Sequence, residues 1–134
     1  MHIIGAFDRS RVSDLVPRKN SVLIQITSLN DDFPKVHRNW KAILKLKFDD
    51  NYDGDTNSTP ITDKQAKQLL DFVTSHIESD VFVNCDAGIS RSPAVVVALE
   101  QIFNCNDVRK NYPHYNRYVK DKIIKVWFEN IWHV

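Results

Sequence analysis

The sequence predicts an α/β layer fold in which a mostly parallel central sheet of four or five strands is flanked by helices. Short β-branched runs alternate with segments of helical periodicity, which is the order that parallel strands and crossover helices produce. One of the runs, 42–48, keeps period two, as a strand with one protected face must. The chain has 134 residues, 43% of them hydrophobic, a size at which one compact domain spanning 1–134 is expected.

The first strand is read at 3–7 and the second at 22–27. In the third, at 42–48, Ala42, Leu44, Leu46 and Phe48 alternate with Lys41, Ile43, Lys45 and Lys47. Lysines on the open face discourage pairing with another chain, which places this strand near a sheet edge. Thr62-Asp63-Lys64-Gln65 has the form of a capping box, and Ala66, Leu69, Leu70, Val73 and Ile77 recur behind it at helical spacing, so a helix is expected over 62–79. A fourth strand covers 81–84. Residues 92–99 are apolar almost all round, and Pro93 sits where a first helical turn needs no donor, so a central, buried helix is read at 92–104. The last helix, 116–131, sets Val119, Ile123, Val126, Trp127 and Ile131 against Lys120, Lys122, Lys125 and Glu129. No internal repeat or linker divides the chain.

Composition narrows the function. A net charge of +1 gives no general attraction to nucleic acid or to an anionic membrane. No apolar run is long enough to span a bilayer, and Met1-His2-Ile3-Ile4-Gly5 is too short for a signal-peptide core, so a soluble, cytoplasmic monomer is expected. Two cysteines do not make a disulfide framework. A lone cysteine is then either buried packing or chemically employed.

Cys85 meets the second description. The segment Val83-Asn84-Cys85-Asp86-Ala87-Gly88-Ile89-Ser90-Arg91-Ser92-Pro93 ends a buried strand, turns at Gly88 and opens a helix. Such a loop can aim several backbone N–H groups at one centre, with the positive end of the helix dipole behind them. Those donors favour a thiolate as well as an anionic ligand. Arg91 closes the ring, because a planar guanidinium holds two phosphate oxygens at once and cannot lose its proton. The blander alternative makes Cys85 a small buried residue and Arg91 a solvated helix start.

Cys85-x5-Arg91-Ser92 resembles the active-site signature of the cysteine-based protein tyrosine phosphatases, in their compact dual-specificity subgroup. Phe48-Asp49-Asp50 and the helix carrying Gln65-Ala66-Lys67-Gln68-Leu69-Leu70-Asp71-Phe72-Val73 extend the likeness to small bacterial and phage-type members, over about 21–134. The resemblance implies a metal-independent phosphomonoester hydrolase without a cofactor, acting on a phosphorylated protein or peptide. Cys85 would be the nucleophile and form a thiophosphate. Asn84, Asp86, Ala87, Gly88, Ile89, Ser90 and Arg91 would form the substrate cradle, and Ser92 would stabilise the leaving sulfur. A carboxylic acid from the loop after the third strand would protonate the leaving group; Asp50 is the first candidate and Asp49 the second. The family usually places His before its nucleophile, and Asn84 stands there. An amide can bond the loop backbone but carries no charge toward the thiolate, so a less acidified Cys85 is expected. A catalytically weak phosphate-binding module is the alternative reading.

The resemblance to the compact subgroup, without the extra loops that deepen the cleft of the larger tyrosine-specific relatives, implies a shallow cleft that admits phosphotyrosine and also phosphoserine or phosphothreonine. Lipid phosphatases of the superfamily carry lysines where Asp86 and Ile89 stand, and RNA 5′-phosphatases tend to have Asn at the place of Ser90. Sulfurtransferases and arsenate reductases also present a cysteine on an anion loop, but need no Asp50. Low-molecular-weight phosphatases differ in carrying that loop at the chain start.

Asp49, Asn51, Asp53, Gly54 and Asp55 match the first half of a calcium loop, but Pro60 stands where its bidentate Glu belongs, so a polar lid loop is expected instead. His37, His76, His114 and His133 lack metal-ligand spacing. Cys105 is read as packing rather than as a resolving thiol. Lys35, His37, Arg38, Lys41, Lys45 and Lys47 form a solvated basic stretch, with contact to an acidic substrate as the minority reading.

Overall fold

The computed structural model describes residues 1–51, 57–105 and 112–132, the side chains of 131 and 132 excepted. Four strands, β1 (His2–Phe7), β2 (Ser21–Thr27), β3 (Ala42–Lys47) and β4 (Asp80–Asn84), build one sheet in the order β1-β4-β2-β3. Every pairing is parallel. Burial explains the order. All seven residues of β2 and nearly all of β4 are buried, as central strands covered on both faces must be, whereas β1 and β3 alternate. The lysine-bearing β3 is an edge strand, as its pattern predicts.

Strand parity divides the interior. Val22, Ile24 and Ile26 of β2 join Val81 and Val83 of β4 in the larger core, against Ala66, Leu69 and Val73 of α2 (Asp63–Ser75), Val95, Val96 and Leu99 of α3 (Arg91–Phe103), and Val119, Ile123 and Val126 of α4 (Arg117–Trp132). The opposite parity, Leu23 and Phe82, forms a smaller cluster with Val12 of α1 (Arg9–Asp14) and Trp40, flanked by the partly buried Phe7, Leu15 and Val36. At about 1.5–3 kcal/mol for each fully buried aliphatic side chain, the three-helix face supplies most of the stability.

Two departures from the sequence reading exceed one residue. Helix α1 was not expected: it is six residues long, buries only Val12, and is capped by Asp8, whose side chain accepts from the Arg11 N–H. Helix α2 stops at Ser75 rather than 79. Two tight turns, His76 N–H to Val73 O and Ser79 N–H to His76 O, bend the chain back toward β4 and leave Ile77 42% exposed, off the buried stripe. The capping box itself is present, with reciprocal bonds between Thr62 and Gln65. Helix α3 runs over Arg91–Phe103, within one residue of the expected bounds, and its C-cap Asn104 takes the left-handed conformation.

Gly5 marks a bulge. The β1–β4 register shifts between Ile3 and Gly5, where φ is +150°, and a Cβ there would lie 3.2 Å from the Tyr112 hydroxyl that accepts from the Ala6 N–H. Among the described residues no helix is long and apolar enough to cross a membrane. Asp53, Gly54 and Asp55 of the calcium-like pattern lie outside the described residues, as does His133.

Candidate active site

Strand β4 delivers Cys85 to the carboxyl end of the sheet, and the chain turns over residues 85–91 into α3. The turn depends on Gly88, whose φ is +72° and whose Cβ, were there one, would lie 2.7 Å from Asp8 N and 2.8 Å from the Phe7 carbonyl carbon. No other residue tolerates both that backbone conformation and that contact. The loop therefore rests on the junction between β1 and α1, where Cys85 N–H donates to Phe7 O and Arg9 N–H to Asp86 O.

Cys85 is 2% exposed and lies at the floor of the turn. Gly88 N–H donates to its sulfur at 3.3 Å, and Ser92 Oγ lies 3.0 Å from the same atom. Were the sulfur ionised, it would accept from both the Gly88 N–H and the Ser92 hydroxyl. Ser90, at the N-cap of α3, makes no side-chain cap to that helix. Its hydroxyl donates instead to Asp50 Oδ1 at 2.8 Å. Ala87 and Ile89 are exposed at the rim.

Arg91 is 6% exposed and its guanidinium is held on two sides. Nη1 donates to Ser28 Oγ at 3.0 Å and to Phe48 O at 2.9 Å, and Nη2 donates to Asp86 Oδ2 at 3.0 Å. Nε is buried and has no partner. Three of the five guanidinium N–H groups are thus accounted for, and the Nε–H and one Nη2 hydrogen remain to be shared with a ligand. An oxyanion held by Nε and Nη2 together would be bound in a bidentate fashion.

The adjacent carboxylates separate. Asp50 Oδ1 accepts from Ser90 Oγ and, at 2.7 Å, from Asn116 Nδ2, so this side chain reaches the loop. Asp49 instead binds backbone, taking Leu29 N–H at 3.3 Å and Thr59 N–H at 2.8 Å. Asn116 also donates to Asn51 O and caps α4 by accepting from Val119 N–H. Asn84 is fully enclosed; its amide touches the loop through Cys85 O at 3.5 Å, and its Oδ1 is an orphaned acceptor.

A phosphatase-type signature on this framework invites comparison with solved structures. The chain is similar to a human tyrosine phosphatase-like serine/threonine/tyrosine-interacting protein, with a TM-score of 0.58 and 19% identity over 87% of this chain and 80% of that one. The fold is of the tyrosine-phosphatase type. No family model and no curated protein matches the sequence.

Asp86 was expected as part of the cradle, and its side chain is a hub. Oδ1 accepts from Arg9 Nη1 at 2.9 Å and Thr27 Oγ1 at 3.2 Å, opposite the Arg91 bond to Oδ2. Burial pushes this carboxyl up, but the hydrogen bonds from Arg9, Arg91 and Thr27 outweigh it and hold the group below the ordinary 3.8. Sequence reasoning missed Arg9, Thr27, Ser28 and the Phe48 carbonyl. A hydroxyl or a main-chain oxygen brought in from a distant strand end leaves no spacing to read. Among the described residues no group of three or more His, Cys, Asp or Glu side chains is placed to hold a metal.

Proposed function

We propose that this chain is a phosphomonoester hydrolase that works through a Cys85 thiophosphate, as a tyrosine phosphatase with dual-specificity reach. The observation that carries the reading is the unpartnered Nε–H of buried Arg91, in the same loop as a cysteine sulfur that accepts from Gly88 N–H. A buried guanidinium edge without a partner is costly unless an anion fills it.

In the first step the Cys85 thiolate attacks phosphorus. The S–P bond forms as the P–O bond to the substrate breaks, and the Asp50 carboxylic acid gives its proton to the departing oxygen. Arg91 and the loop amides hold the equatorial oxygens, where charge sits in the loose transition state. In the second step Asp50 takes a proton from water, the oxygen attacks phosphorus, and the thiolate leaves with a hydrogen bond from Ser92. Asp50 is favoured over Asp49 as the acid because it contacts the loop, whereas both oxygens of Asp49 hold backbone.

The exposed rim at Ala87 and Ile89 suits a phosphorylated protein or peptide in a shallow cleft. We further propose that the whole chain is one catalytic domain, monomeric and cytoplasmic. Asn84 supports a second reading, a phosphate-binding module with weak turnover, since no imidazolium stands behind the cysteine. Hydrolysis of p-nitrophenyl phosphate by the wild type and not by Cys85→Ser is the expected result. Oxyanion binding with no turnover selects the module, and turnover that survives in Cys85→Ser removes both readings.

A further inference from the structure

Arg91 can offer its free edge to an anion only if the plane of the guanidinium is fixed. Ser28 Oγ and Phe48 O fix one end through Nη1. Rotation about the remaining axis is stopped only at Nη2, by Asp86 Oδ2 at 3.0 Å. That carboxylate would itself swing if it were held by Arg91 alone. It is held from the far side by Arg9 Nη1 at 2.9 Å and Thr27 Oγ1 at 3.2 Å, and Arg9 is anchored in turn by Nη2 to Asp32 O at 2.9 Å. A main-chain bond, Arg9 N–H to Asp86 O at 3.2 Å, locks the start of α1 to the loop.

We propose that Arg9 and Asp86 are a positioning pair for Arg91, through which helix α1 aims the phosphate-binding edge of the guanidinium. The inference rests on the phosphatase reading above. Charge makes the arrangement more than packing. An isolated carboxylate one bond from the anion would repel it, so Asp86 without Arg9 would oppose the site it organises. The trio Arg9, Asp86 and Arg91 keeps one net positive charge beside the cradle, while its fork geometry gives direction. Arg9 works through Asp86 and does not touch the anion.

This pair is open to a test in which orientation and simple charge predict opposite signs. Tungstate, an unreactive oxyanion, is titrated against Cys85→Ser carrying Asp86→Asn, Arg9→Met or both. Charge alone predicts that Asp86→Asn binds tungstate severalfold more tightly, because a repelling group has gone. Positioning predicts binding weaker by about tenfold, the loss of one charge-assisted hydrogen bond. Arg9→Met should weaken binding about threefold to tenfold on the same grounds, and the double variant should be no weaker than Asp86→Asn, since the two residues act as one unit. Unchanged or tighter binding by Asp86→Asn, or effects that multiply in the double variant, overturns the proposal. Should a variant unfold, Arg9→Lys in the otherwise wild-type chain decides. It keeps the charge but not the fork, so full recovery of kcat/KM for p-nitrophenyl phosphate also overturns the proposal, and a severalfold deficit upholds it. A Cys85→Ser chain that binds no tungstate at all defeats the phosphatase reading itself and this inference with it, whereas tungstate binding that is indifferent to both substitutions defeats the inference alone.

Discussion

The two faces of the sheet do different work. One is covered by α2, α3 and α4 over a core that runs from Ile3 to Val126. The other is covered by the six residues of α1 and the segment bearing Trp40, around Val12, Leu23 and Phe82. The rich face holds the fold. The sparse face supports the loop 85–91 from beneath, through Phe7, Asp8 and Arg9, and in the proposed reading it turns Arg91 toward an anion. Stability and alignment are thus assigned to opposite sides of one sheet, and substitutions should separate them.

The largest separation is expected between neighbours. Asp50→Asn should lower kcat by about 10²–10⁴-fold with little change in stability, as the loss of a general acid does. Asp49→Asn should cost about 1 kcal/mol in urea unfolding through its backbone bonds, with kcat nearly intact. Reversed outcomes would exchange their roles.

Leu69→Ala, on the rich face, should cost about 2–5 kcal/mol while the folded protein keeps its kcat/KM. Gly88→Ala should combine both effects in one defect, because the new Cβ meets backbone of the β1–α1 junction. We expect a loss of about 3 kcal/mol together with loss of oxyanion binding. Val12→Ala should cost only about 1–2 kcal/mol yet weaken oxyanion binding measurably. If Val12→Ala leaves binding alone, the sparse face is ordinary packing.

The smallest effect is on acid stability. The folded-state pKa of Asp86 lies below its ordinary 3.8, so its contribution is complete above that value and is lost as pH falls through the lowered one. Asp86→Asn should therefore flatten the acid limb of the unfolding curve only below about pH 4.

This division also explains what could be read from sequence. Period two in β3, the Thr62–Gln65 box and the all-round apolar start of α3 are local patterns, and each element appears where it is expected. The loop 85–91 is legible for the same reason, since its cysteine, glycine and arginine stand at fixed offsets. Helix α1 is too short to show a period and buries one side chain. The end of α2 is hidden because Ile77 fits the helical period but the chain must turn to feed β4. Asp49 and Asp50 differ only in which way each side chain points, and that follows from contacts with Thr59, Ser90 and Asn116 far along the chain.

The most direct test of the central claim is acid-quench mass spectrometry of the Asp50→Asn variant mixed with excess p-nitrophenyl phosphate. Slowed hydrolysis of the intermediate should leave a phosphoryl group on the peptide containing Cys85. A phosphoryl group found on another residue, or continued turnover with an unmodified Cys85 peptide, would contradict the account.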